Sequence, residues 1–471
     1  MNNDTIAAIA TPIGRGGIGI IKISGEHALL IAESIFQKTV IKPDTLPALD
    51  SDIFHPLSSH HLNHGHIVDP EKERILDEVL LSVMVAPNTY TKENIVEINT
   101  HSGHVVLASI LNLVLKKGAR LAEPGEFTKR AYLNGRIDLT QAEAVIDIIN
   151  SRTDKALEVA TSQVKGRLKE NVESIRDSML AILTEIEAAI DFPDDVGEII
   201  RTDATMNMLE EQIIGGLKAL LDQYENGHIL KEGIKIAIVG RPNVGKSSLL
   251  NRLIQDDRAI VTPIPGTTRD LIEETLNIRG IPVIVADTAG LHKTDDPVEV
   301  IGIAKTKEYI DGSDLVLFMV DASAQLTSED HTICETIGNK PCIFVVNKSD
   351  LVADDFEIKT PAQWADYPSI KISALYGNGL SSLKDLIAKV SIGEHRLEVQ
   401  STIIPNLRHK MALDRSLLLV QSAVKEIREA ASSELIAIDI QEAIDNLGEI
   451  VGMTTKEDVI DQIFSRFCIG K

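Results

Sequence analysis

The stretch Gly240-Arg241-Pro242-Asn243-Val244-Gly245-Lys246-Ser247 matches the pattern G-x-x-x-x-G-K-[ST]. An apolar, strand-like segment at 234–239 precedes it, and Ser248-Leu249-Leu250 begins a helical pattern. In this context the glycines let the loop curl so that backbone N–H groups point at phosphates, and the helix N-terminus adds to the attraction. Lys246 would neutralise charge on the β- and γ-phosphates, and the Ser247 hydroxyl would bind Mg²⁺. We therefore predict a P-loop nucleotide site.

Further motifs, each directly after a strand-like segment, identify the base. Asn347-Lys348-Ser349-Asp350 follows one apolar segment, and Ser373-Ala374-Leu375 ends the next. The Asp350 carboxylate can accept from the N1–H and the 2-amino group of guanine, two donors that adenine does not offer together. Asp287-Thr288-Ala289-Gly290 stands at another strand end, where an acid can reach the magnesium shell. This ordered set predicts a GTP site and argues against an ATPase.

Hydrolysis of GTP requires a positioned water molecule and stabilisation of transition-state charge. Ras-like enzymes use a Gln after D-T-A-G, but this chain has Leu291, which cannot orient water. Glu299 is a nearby carboxylate that could do so, although a solvated helix face explains that residue better when it is taken alone. Thr267 and Thr268 can supply a switch hydroxyl to Mg²⁺ and the γ-phosphate, and Arg269 could stabilise charge.

The predicted guanine-nucleotide site gathers all of these loops. Its residues are Asn243, Val244, Gly245, Lys246, Ser247, Ser248, Thr262, Thr267, Thr268, Asp287, Thr288, Ala289, Gly290, Asn347, Lys348, Asp350, Ser373 and Ala374. The predicted Mg²⁺ ligands are Ser247 and Thr268.

The segments around the P-loop alternate in character. Apolar runs at 234–239, 281–286, 315–320, 343–346 and 370–372 are separated by helix-length segments. This alternation favours a parallel sheet covered by helices on both faces. From about 138, and again after about 395, the chain has helical periodicity, and Thr140 with Glu143 predicts a capping box. We predict that the two helical blocks pack together, with the α/β domain inserted between them.

Residues 1 to about 135 mix strand-like segments (18–23, 79–85 and 95–98) with a helical one (101–117). The predicted fold class is α/β plus all-α: a P-loop GTPase domain with a mostly parallel sheet, inserted in a helical domain, after an α+β N-terminal domain. The predicted domains are the N-terminal domain (1–120), the first helical part (121–230), the Ras-like G domain (233–393) and the second helical part (394–471).

Composition limits the partners. The chain has 471 residues and a net charge of −23, from 47 Lys and Arg against 70 Asp and Glu. Nucleic-acid binding relies on cations that face phosphates, so any RNA contact must be local, as at Lys129-Arg130, or borrowed from a partner. Three cysteines cannot form a disulfide framework. Neither a signal-peptide pattern nor an apolar run of membrane-spanning length is present in the sequence, so we expect a cytoplasmic protein without membrane contact.

These motifs, together with several others, closely resemble the MnmE (TrmE) family of tRNA-modifying GTPases, within the TrmE-Era-EngA-like translation-factor GTPases. The resemblance runs through most of the chain. The few segments that it does not cover are mainly about 37–62 and 351–368. Its other matching segments are TPIGRGGIG (11–19), PGEFTKRA (124–131), DLTQAEA (138–144), AIDFP (189–193) and the terminal CIGK (468–471).

The resemblance implies a function and partners. Members of this family form homodimers and work with an FAD-dependent protein, MnmG, in a heterotetramer. Together they install an aminomethyl or carboxymethylaminomethyl group at C5 of the wobble uridine (U34) of certain tRNAs. We expect tRNA to be held largely by the partner, and the nucleotide ligands to be GTP and GDP.

The resemblance also implies that the N-terminal domain binds folate and mediates dimerisation. The ligand would be (6S)-5-formyl-5,6,7,8-tetrahydrofolate or a related one-carbon folate, and the family's positions fall on Lys22, Glu97, Arg136 and Lys471. Cys468 is the family's C-terminal cysteine, for which a catalytic role near the folate and a purely structural role both stay open.

Finally, the resemblance implies a GTPase that K⁺ activates when two G domains face each other, so that GTP hydrolysis drives their dimerisation. The implied K⁺ ligands are Asn243, Thr262, Ile264 and Thr267. Glu299 matches the family's catalytic carboxylate, which makes it the predicted catalytic residue of hydrolysis. One departure is Leu291-His292-Lys293, where relatives often have Leu-Arg.

The alternative function is a GTP-dependent assembly or signalling switch related to the ribosome-biogenesis GTPases, which share the nucleotide motifs but not the folate positions or the CIGK end. Two weaker patterns have simpler explanations. The G-x-G-x-x-G pattern at 14–19 precedes a strand-like segment, so a turn is predicted rather than a dinucleotide site. His60, His61, His64 and His66 lack the spacing of a metal site.

Overall fold

A computed structural model describes residues 4–38 (without 13 and 15), 58–192, 203–257, 274–285, 303–392 (without 354, 355, 357, 359, 362 and 363) and 403–471. These residues form two compact units, one from 4–146 with 451–471 and the other from 147–450. In the part of the chain that is described, no helix is both long and apolar enough to cross a bilayer. The four-part domain division stays a prediction.

The first unit is built on one seven-stranded sheet. Its strands are β1 (Ile6–Ile9), β2 (Gly19–Ser24), β3 (Phe36–Lys38), β4 (His61–Asp69), β5 (Arg74–Met84), β6 (Ile95–Thr100) and β7 (Arg120–Leu121). They lie in the order β3-β4-β5-β6-β2-β1-β7, and only β1 and β7 pair in parallel. The strands predicted at 18–23, 79–85 and 95–98 are confirmed, although β5 begins earlier, at Arg74.

Helices cover parts of both faces of this sheet. They are α1 (Ala28–Ile35), α2 (His104–Lys116), α3 (Glu126–Leu133), α4 (Leu139–Asn150, of which the first unit holds the N-terminal part) and the C-terminal α15 (Glu457–Phe464). Apolar residues of α1 and α2, such as Ile31 and Ile110, pack with Ile21 and Ile98 of the sheet. On the other face, Phe127 of α3 packs under β1. The helix predicted over 101–117 is confirmed, with its start at His104.

The N-terminus of α4 differs from the prediction. The Asp138 carboxylate accepts a hydrogen bond from the Gln141 backbone N–H (3.0 Å), and the Gln141 side chain accepts from the Asp138 N–H (3.0 Å). This reciprocal pair is a capping box in which Asp138 is the N-cap. Thr140 instead lies buried inside the first turn and donates to Asp138 (2.6 Å). The predicted box of Thr140 with Glu143 is therefore wrong by two residues.

The second unit contains a six-stranded sheet. Its strands are β8 (Ile234–Val239), β9 (Glu274–Ile278), β10 (Ile281–Val285), β11 (Leu315–Asp321), β12 (Cys342–Asn347) and β13 (Ser369–Lys371). They lie in the order β13-β12-β11-β8-β10-β9, and all pairs are parallel except β10 with β9. The mostly parallel sheet is confirmed. The edge strand β9 has no counterpart in the prediction, because its alternating pattern is short and lies next to a hairpin turn.

The helices of this unit are α5 (Asp154–Val164), α6 (Arg167–Asp191), α7 (Asp203–Asn207), α8 (Gly215–Glu232), α9 (Lys246–Asp257), α10 (Ile303–Asp311), α11 (Ser328–Ile337), α12 (Leu380–Ile392), α13 (Leu407–Arg428) and α14 (Ser433–Val451). A π-helical segment, Met208–Ile214, joins α7 to α8. The predicted apolar face of α6 is confirmed, since Val172, Met179 and Ile186 are buried.

Chain segments from before and after the G-domain sheet pack together within this unit. The Gln163 amide of α5 donates to the backbone oxygen of Ile404. Gly227 of α8 leaves room for the same residue, since a Cβ there would lie 2.5 Å from the Ile404 side chain. The predicted packing of the two helical blocks, with the α/β sheet inserted in the chain between them, agrees with these contacts.

A buried network of charges joins the N-terminus of the first unit to α3. The Arg130 guanidinium, 8% exposed as a residue, donates to Asp4 (2.7 Å), Glu126 (3.0 Å) and Glu93 (3.2 Å). Arg120 donates to Glu126 (2.7 Å) as well. Burial alone would raise the pKa of Glu126, but hydrogen bonds from Arg120, the Glu123 backbone and Arg130 hold that pKa below its ordinary value.

The same network corrects an expectation about nucleic acid. Arg130 is occupied by three carboxylates, and the Lys129 ammonium pairs with Asp461 of α15 at 2.5 Å. Arg130 is buried, and the partly exposed Lys129 already has a carboxylate partner, so the two residues do not form an exposed basic patch. The prediction of a local basic patch at Lys129-Arg130 is therefore wrong.

We predict that Glu126→Gln lowers the free energy of unfolding of this unit by about 2 to 3 kcal/mol at pH 7, because two arginines lose a buried charged partner. The difference from the parent should be full above the ordinary glutamate pKa of 4.5 and should shrink as the pH falls below it, through the lowered native pKa. Amide hydrogen exchange of α3 is the measurement, since the single tryptophan, Trp364, lies in the other unit.

The matched control is Glu78→Gln, whose side chain is 58% exposed and pairs with His64. It should change the stability by no more than about 0.5 kcal/mol. Equal exchange rates in the two variants at pH 7 would contradict a stabilising role of the buried network.

Candidate functional site

The P-loop bends sharply where it leaves β8. Gly240 has φ +152° and Gly245 has φ +101°, and Asn243 between them also adopts a left-handed conformation (φ +63°). At Gly240 a Cβ would lie 2.3 Å from the Met319 carbonyl oxygen of the neighbouring β11. Only glycine fits there, so the loop turns directly at the carboxyl end of the sheet. α9 then begins at Lys246, which places its N-terminus and Ser247 at the loop.

The buried side chain of Asn347 connects three motifs that are distant in sequence. Its Nδ2 donates to the Val244 carbonyl oxygen of the P-loop (2.7 Å), and its Oδ1 accepts from the Ala374 N–H (2.9 Å). Asn347 is 2% exposed. A Cβ at Gly245 would lie 2.2 Å from this Nδ2, so the second glycine of the P-loop is required for the contact. The amide thereby fixes the phosphate loop relative to both base-recognition motifs.

Lys246 lies over the loop that it belongs to. Its Nζ donates to the carbonyl oxygens of Gly240 (2.9 Å) and Arg241 (2.8 Å). Charged phosphate oxygens are stronger acceptors for an ammonium group than carbonyl oxygens are. The lysine Nζ thus lies at the loop, where the sequence predicts that it binds the β- and γ-phosphates.

The base-recognition residues lie at the ends of β12 and β13. Lys348 has φ +62° and its Nζ pairs with Asp321 at 2.6 Å. Burial would raise the pKa of Asp321, but hydrogen bonds from Lys348 and Ser323 hold that pKa below its ordinary value. Asp350 is exposed in a short 3₁₀ turn, where its carboxylate can accept from guanine. Ser373 and Ala374 are buried, and they follow the end of β13, the strand next to β12 in the sheet.

Eleven of the eighteen predicted GTP-site residues lie in the described part of the chain: Asn243, Val244, Gly245, Lys246, Ser247, Ser248, Asn347, Lys348, Asp350, Ser373 and Ala374. The other predicted residues lie outside the described residues. They are Thr262, Ile264, Thr267, Thr268, Asp287, Thr288, Ala289, Gly290 and Glu299, together with Arg269 and Leu291-His292-Lys293.

A second cluster lies on the sheet of the first unit. Lys22 of β2 and Glu97 of β6 are directly opposite in the strand register, and their side chains are 3.4 Å apart. The Lys22 Nζ lies 5.5 Å from the ring centres of both Tyr90 and Phe127. The Arg136 guanidinium carbon is 4.6 Å from the Tyr90 ring centre. Three of the four predicted folate residues, two cations and one carboxylate, thus lie together beside two aromatic rings.

The C-terminal residues end at the same place. The Lys471 carbonyl oxygen accepts from the Phe127 N–H (3.1 Å), and the Cys468 carbonyl oxygen accepts from the Gly125 N–H (3.4 Å). Gly470 (φ +94°) passes so close to β1 that a Cβ would lie 2.7 Å from the Ile9 carbonyl oxygen. These contacts bring the fourth predicted folate residue next to Phe127, and they leave the Cys468 side chain exposed as a free thiol.

Sequence reasoning missed Tyr90 and Phe127. Phe127 lies in the matched segment PGEFTKRA, and aromatic residues make up only 3% of the chain, so it was a usable signal; Tyr90 lies in no matched segment. The Tyr90 hydroxyl hydrogen-bonds the Thr128 hydroxyl (3.0 Å), which holds its ring against α3. Phe127 is fully buried, so the partly exposed Tyr90 ring, which packs against it, provides the flat apolar surface of the cluster.

Two weaker patterns have local structural roles. The Ser102 hydroxyl donates to the Gly14 carbonyl oxygen (3.2 Å) and accepts from the Gly16 N–H (2.7 Å). This loop leads into β2, so the strand predicted after the pattern is confirmed. His64 pairs with Glu78 (2.8 Å), and among the described residues no three His, Cys, Asp or Glu side chains are grouped to hold a metal.

A strand, a P-loop that leads into a helix, and an N-K-x-D motif fixed to that loop define a guanine-nucleotide-binding P-loop protein. Two family models match the chain: "GTP-binding protein TrmE N-terminus" over residues 5–136 and "MnmE helical domain" over residues 139–468. The chain belongs to the MnmE family.

Curated relatives agree along the whole length. The chain is 45% identical to the "tRNA modification GTPase MnmE" of Alkaliphilus oremlandii over 471 residues, which cover 100% of this chain and 99% of the relative. It is 48% identical to the protein of the same name from Thermoanaerobacter sp. strain X514, with 99% of each chain covered. The relative from Desulfotalea psychrophila is 46% identical, over 100% of this chain and 99% of its own.

We predict that Asp350→Asn lowers the affinity for GTP by about a hundredfold, because the carboxamide offers one acceptor where guanine presents two donors. The same variant should gain affinity for xanthosine triphosphate, whose C2 carbonyl oxygen can accept from the new amide. Fluorescence titration with GTP and with xanthosine triphosphate measures this change in base preference. A variant that still prefers GTP would show that Asp350 does not contact the base.

Proposed function

We propose that this chain is a potassium-activated GTPase that acts in the cytoplasm with an FAD-dependent partner, MnmG. In this proposal it is a homodimer within a heterotetramer, and the complex installs an aminomethyl or carboxymethylaminomethyl group at C5 of the wobble uridine of certain tRNAs. GTP hydrolysis would drive dimerisation of the G domains. The observation that carries the proposal is similarity over the full length to relatives named tRNA modification GTPases.

The nucleotide loops support the hydrolytic part. The P-loop conformation, the α9 N-terminus and Lys246 together provide the positive environment that a triphosphate requires. In the proposal, Ser247 and Thr268 bind Mg²⁺, which would neutralise charge between the β- and γ-phosphates. Glu299 would orient the attacking water, since Leu291 cannot.

The P-loop also supports a potassium site. Asn243 is exposed on the loop in a left-handed conformation, so its side-chain oxygen is available as a hard ligand. In the proposal, Thr262, Ile264 and Thr267 supply the other protein ligands. A bound K⁺ would place positive charge at the phosphates, where other GTPases use an arginine finger.

The chemistry of the cluster on the first unit fits a one-carbon folate, such as (6S)-5-formyl-5,6,7,8-tetrahydrofolate. A folate offers N–H donors that Glu97 can accept from, a flat ring that can stack on an aromatic side chain, and oxygen acceptors, carboxylates among them, that Lys22 and Arg136 can bind. Lys471 would complete the site from the C-terminus. The exposed Cys468 thiol lies on the same terminal segment, which supports its proposed catalytic role.

Charge supports a division of labour in tRNA binding. The chain carries −23, and Lys129 and Arg130 are paired with carboxylates. Weak, salt-sensitive binding of tRNA by the isolated chain is therefore expected, with most phosphate contacts supplied by the partner.

We predict that the purified chain binds 5-formyl-tetrahydrofolate, and that Lys22→Ala or Arg136→Ala weakens binding at least about tenfold, because each removes a charged contact. Isothermal titration calorimetry measures both affinities. Arg74→Ala, an exposed arginine on the same sheet, is the matched control and should bind as the parent does.

Absence of folate binding would favour the alternative, a GTP-dependent assembly or signalling switch. The complete proposal is tested by nucleoside analysis of wobble uridines in a strain that lacks this protein. Loss of the C5 modification, restored by the parent chain, is the expected result. Unchanged wobble nucleosides would contradict the proposed function even if folate binds.

We predict that GTP turnover rises at least about tenfold when K⁺ replaces Na⁺ at constant ionic strength, since K⁺ would stabilise transition-state charge. Asn243→Gly should abolish most of this difference, because glycine keeps the positive φ but removes the side-chain ligand. Steady-state phosphate release is the measurement. Equal rates in the two salts for the parent chain would refute the potassium site.

A further inference from the structure

Arg241, the second residue of the P-loop, points away from the phosphate-binding turn. Its Nε pairs with the Asp330 carboxylate of α11 at 2.8 Å, and its Nη2 donates to the Gln325 carbonyl oxygen at 3.4 Å. The Arg241 side chain is 18% exposed and that of Asp330 is 0% exposed. The loop has one other charged residue, Lys246, and that residue is the one predicted to bind the phosphates. Arg241 has no role in the GTP site described above.

Asp330 is fixed in place by the N-terminal cap of its own helix, α11. It is the N3 residue of α11, and its Oδ2 accepts from the N–H (2.8 Å) and the hydroxyl (3.1 Å) of the N-cap, Thr327. A fully buried carboxylate requires a charged partner as well as hydrogen bonds. Arg241 is that partner, so the first half of the P-loop is joined to the N-terminus of α11.

The anchored segment is the one that holds Lys246. The carbonyl oxygens of Gly240 and Arg241 accept from the lysine Nζ, at 2.9 and 2.8 Å. The second half of the loop has a separate anchor, the hydrogen bond from Asn347 to Val244. Each half of the P-loop is thus fixed by a different element of the G domain.

We propose that Arg241 and Asp330 are a positioning pair that holds the first half of the P-loop in its binding conformation before nucleotide arrives. Without the pair, that backbone segment samples other conformations, and nucleotide binding must order it. This ordering cost applies equally to GDP and GTP, because both use the same loop. The pair therefore sets affinity for guanine nucleotides, and it does not contribute to the chemical step.

The test is Arg241→Gln in the full-length chain. We expect the Kd for GDP and for a non-hydrolysable GTP analogue to rise by similar factors, each at least about tenfold, with kcat at saturating GTP within about twofold of the parent. The matched control is Arg279→Gln, which breaks an exposed pair of the same unit (Arg279 Nε to Asp385, 2.7 Å) and should leave both Kd values unchanged.

Two further variants separate positioning from general damage. Asp330→Asn keeps an oxygen for the Thr327 cap but loses the charge, and it should weaken both nucleotides as Arg241→Gln does. In the double variant the combined loss should be smaller than the product of the single losses, since both remove the same interaction. Arg241→Lys, which retains the charge, should show an intermediate loss. Fluorescence of Trp364, which packs against His331 of α11, checks that each variant is folded.

Three results would overturn the proposal. One is an unchanged Kd for GDP in Arg241→Gln. Another is a fall in kcat without a change in Kd, which would make Arg241 a stabiliser of transition-state charge. The third is multiplicative losses in the double variant, which would show that Arg241 and Asp330 act independently.

Discussion

The buried amide of Asn347 is the interaction on which the nucleotide site depends. It donates to the Val244 carbonyl oxygen and accepts from the Ala374 N–H, and so connects the P-loop with the ends of two further strands. Parallel strands bring their carboxyl ends to one edge of a sheet, but the loops that follow are free to vary. A single side chain with one donor and one acceptor removes that freedom. The glycine at 245 is a local consequence of the same close approach.

The site of the first unit is organised differently, since its position is set by the strand register and by the chain terminus. Pairing of β2 with β6 puts Lys22 opposite Glu97, and α3 supplies the ring of Phe127. The last residues then bond to the N-terminus of α3 through Gly125 and Phe127. Gly125 and Gly470 are both in the left-handed region and both lack room for a Cβ. Two short, glycine-containing segments that are far apart in the sequence thus meet at this site.

Most of the fold could be predicted because it rests on local patterns. The apolar strands, the P-loop and the stripe of α6 each depend on residues close together in the chain. The errors arose where a local pattern had a competitor or a distant partner. Thr140 and Glu143 had the spacing of a capping box, but Asp138 with Gln141 formed one two residues earlier. Lys129-Arg130 appeared basic because Asp4 and Glu93, which lie beside Arg130 in space, are far away in sequence.

The charge network around Arg130 and the pair of Arg241 with Asp330 have a common physical basis. In both, a carboxylate that is almost inaccessible to water is retained because a guanidinium group donates to it. Such pairs gain little net free energy over apolar packing, but they fix geometry, because either charge left alone in the interior would be costly. An acidic chain has few cations available for nucleic acid, and here two arginines hold its loops and helices in place. The net charge of −23 is therefore compatible with the proposed function, in which this protein would supply nucleotide and folate binding and a partner would supply the cations that face RNA.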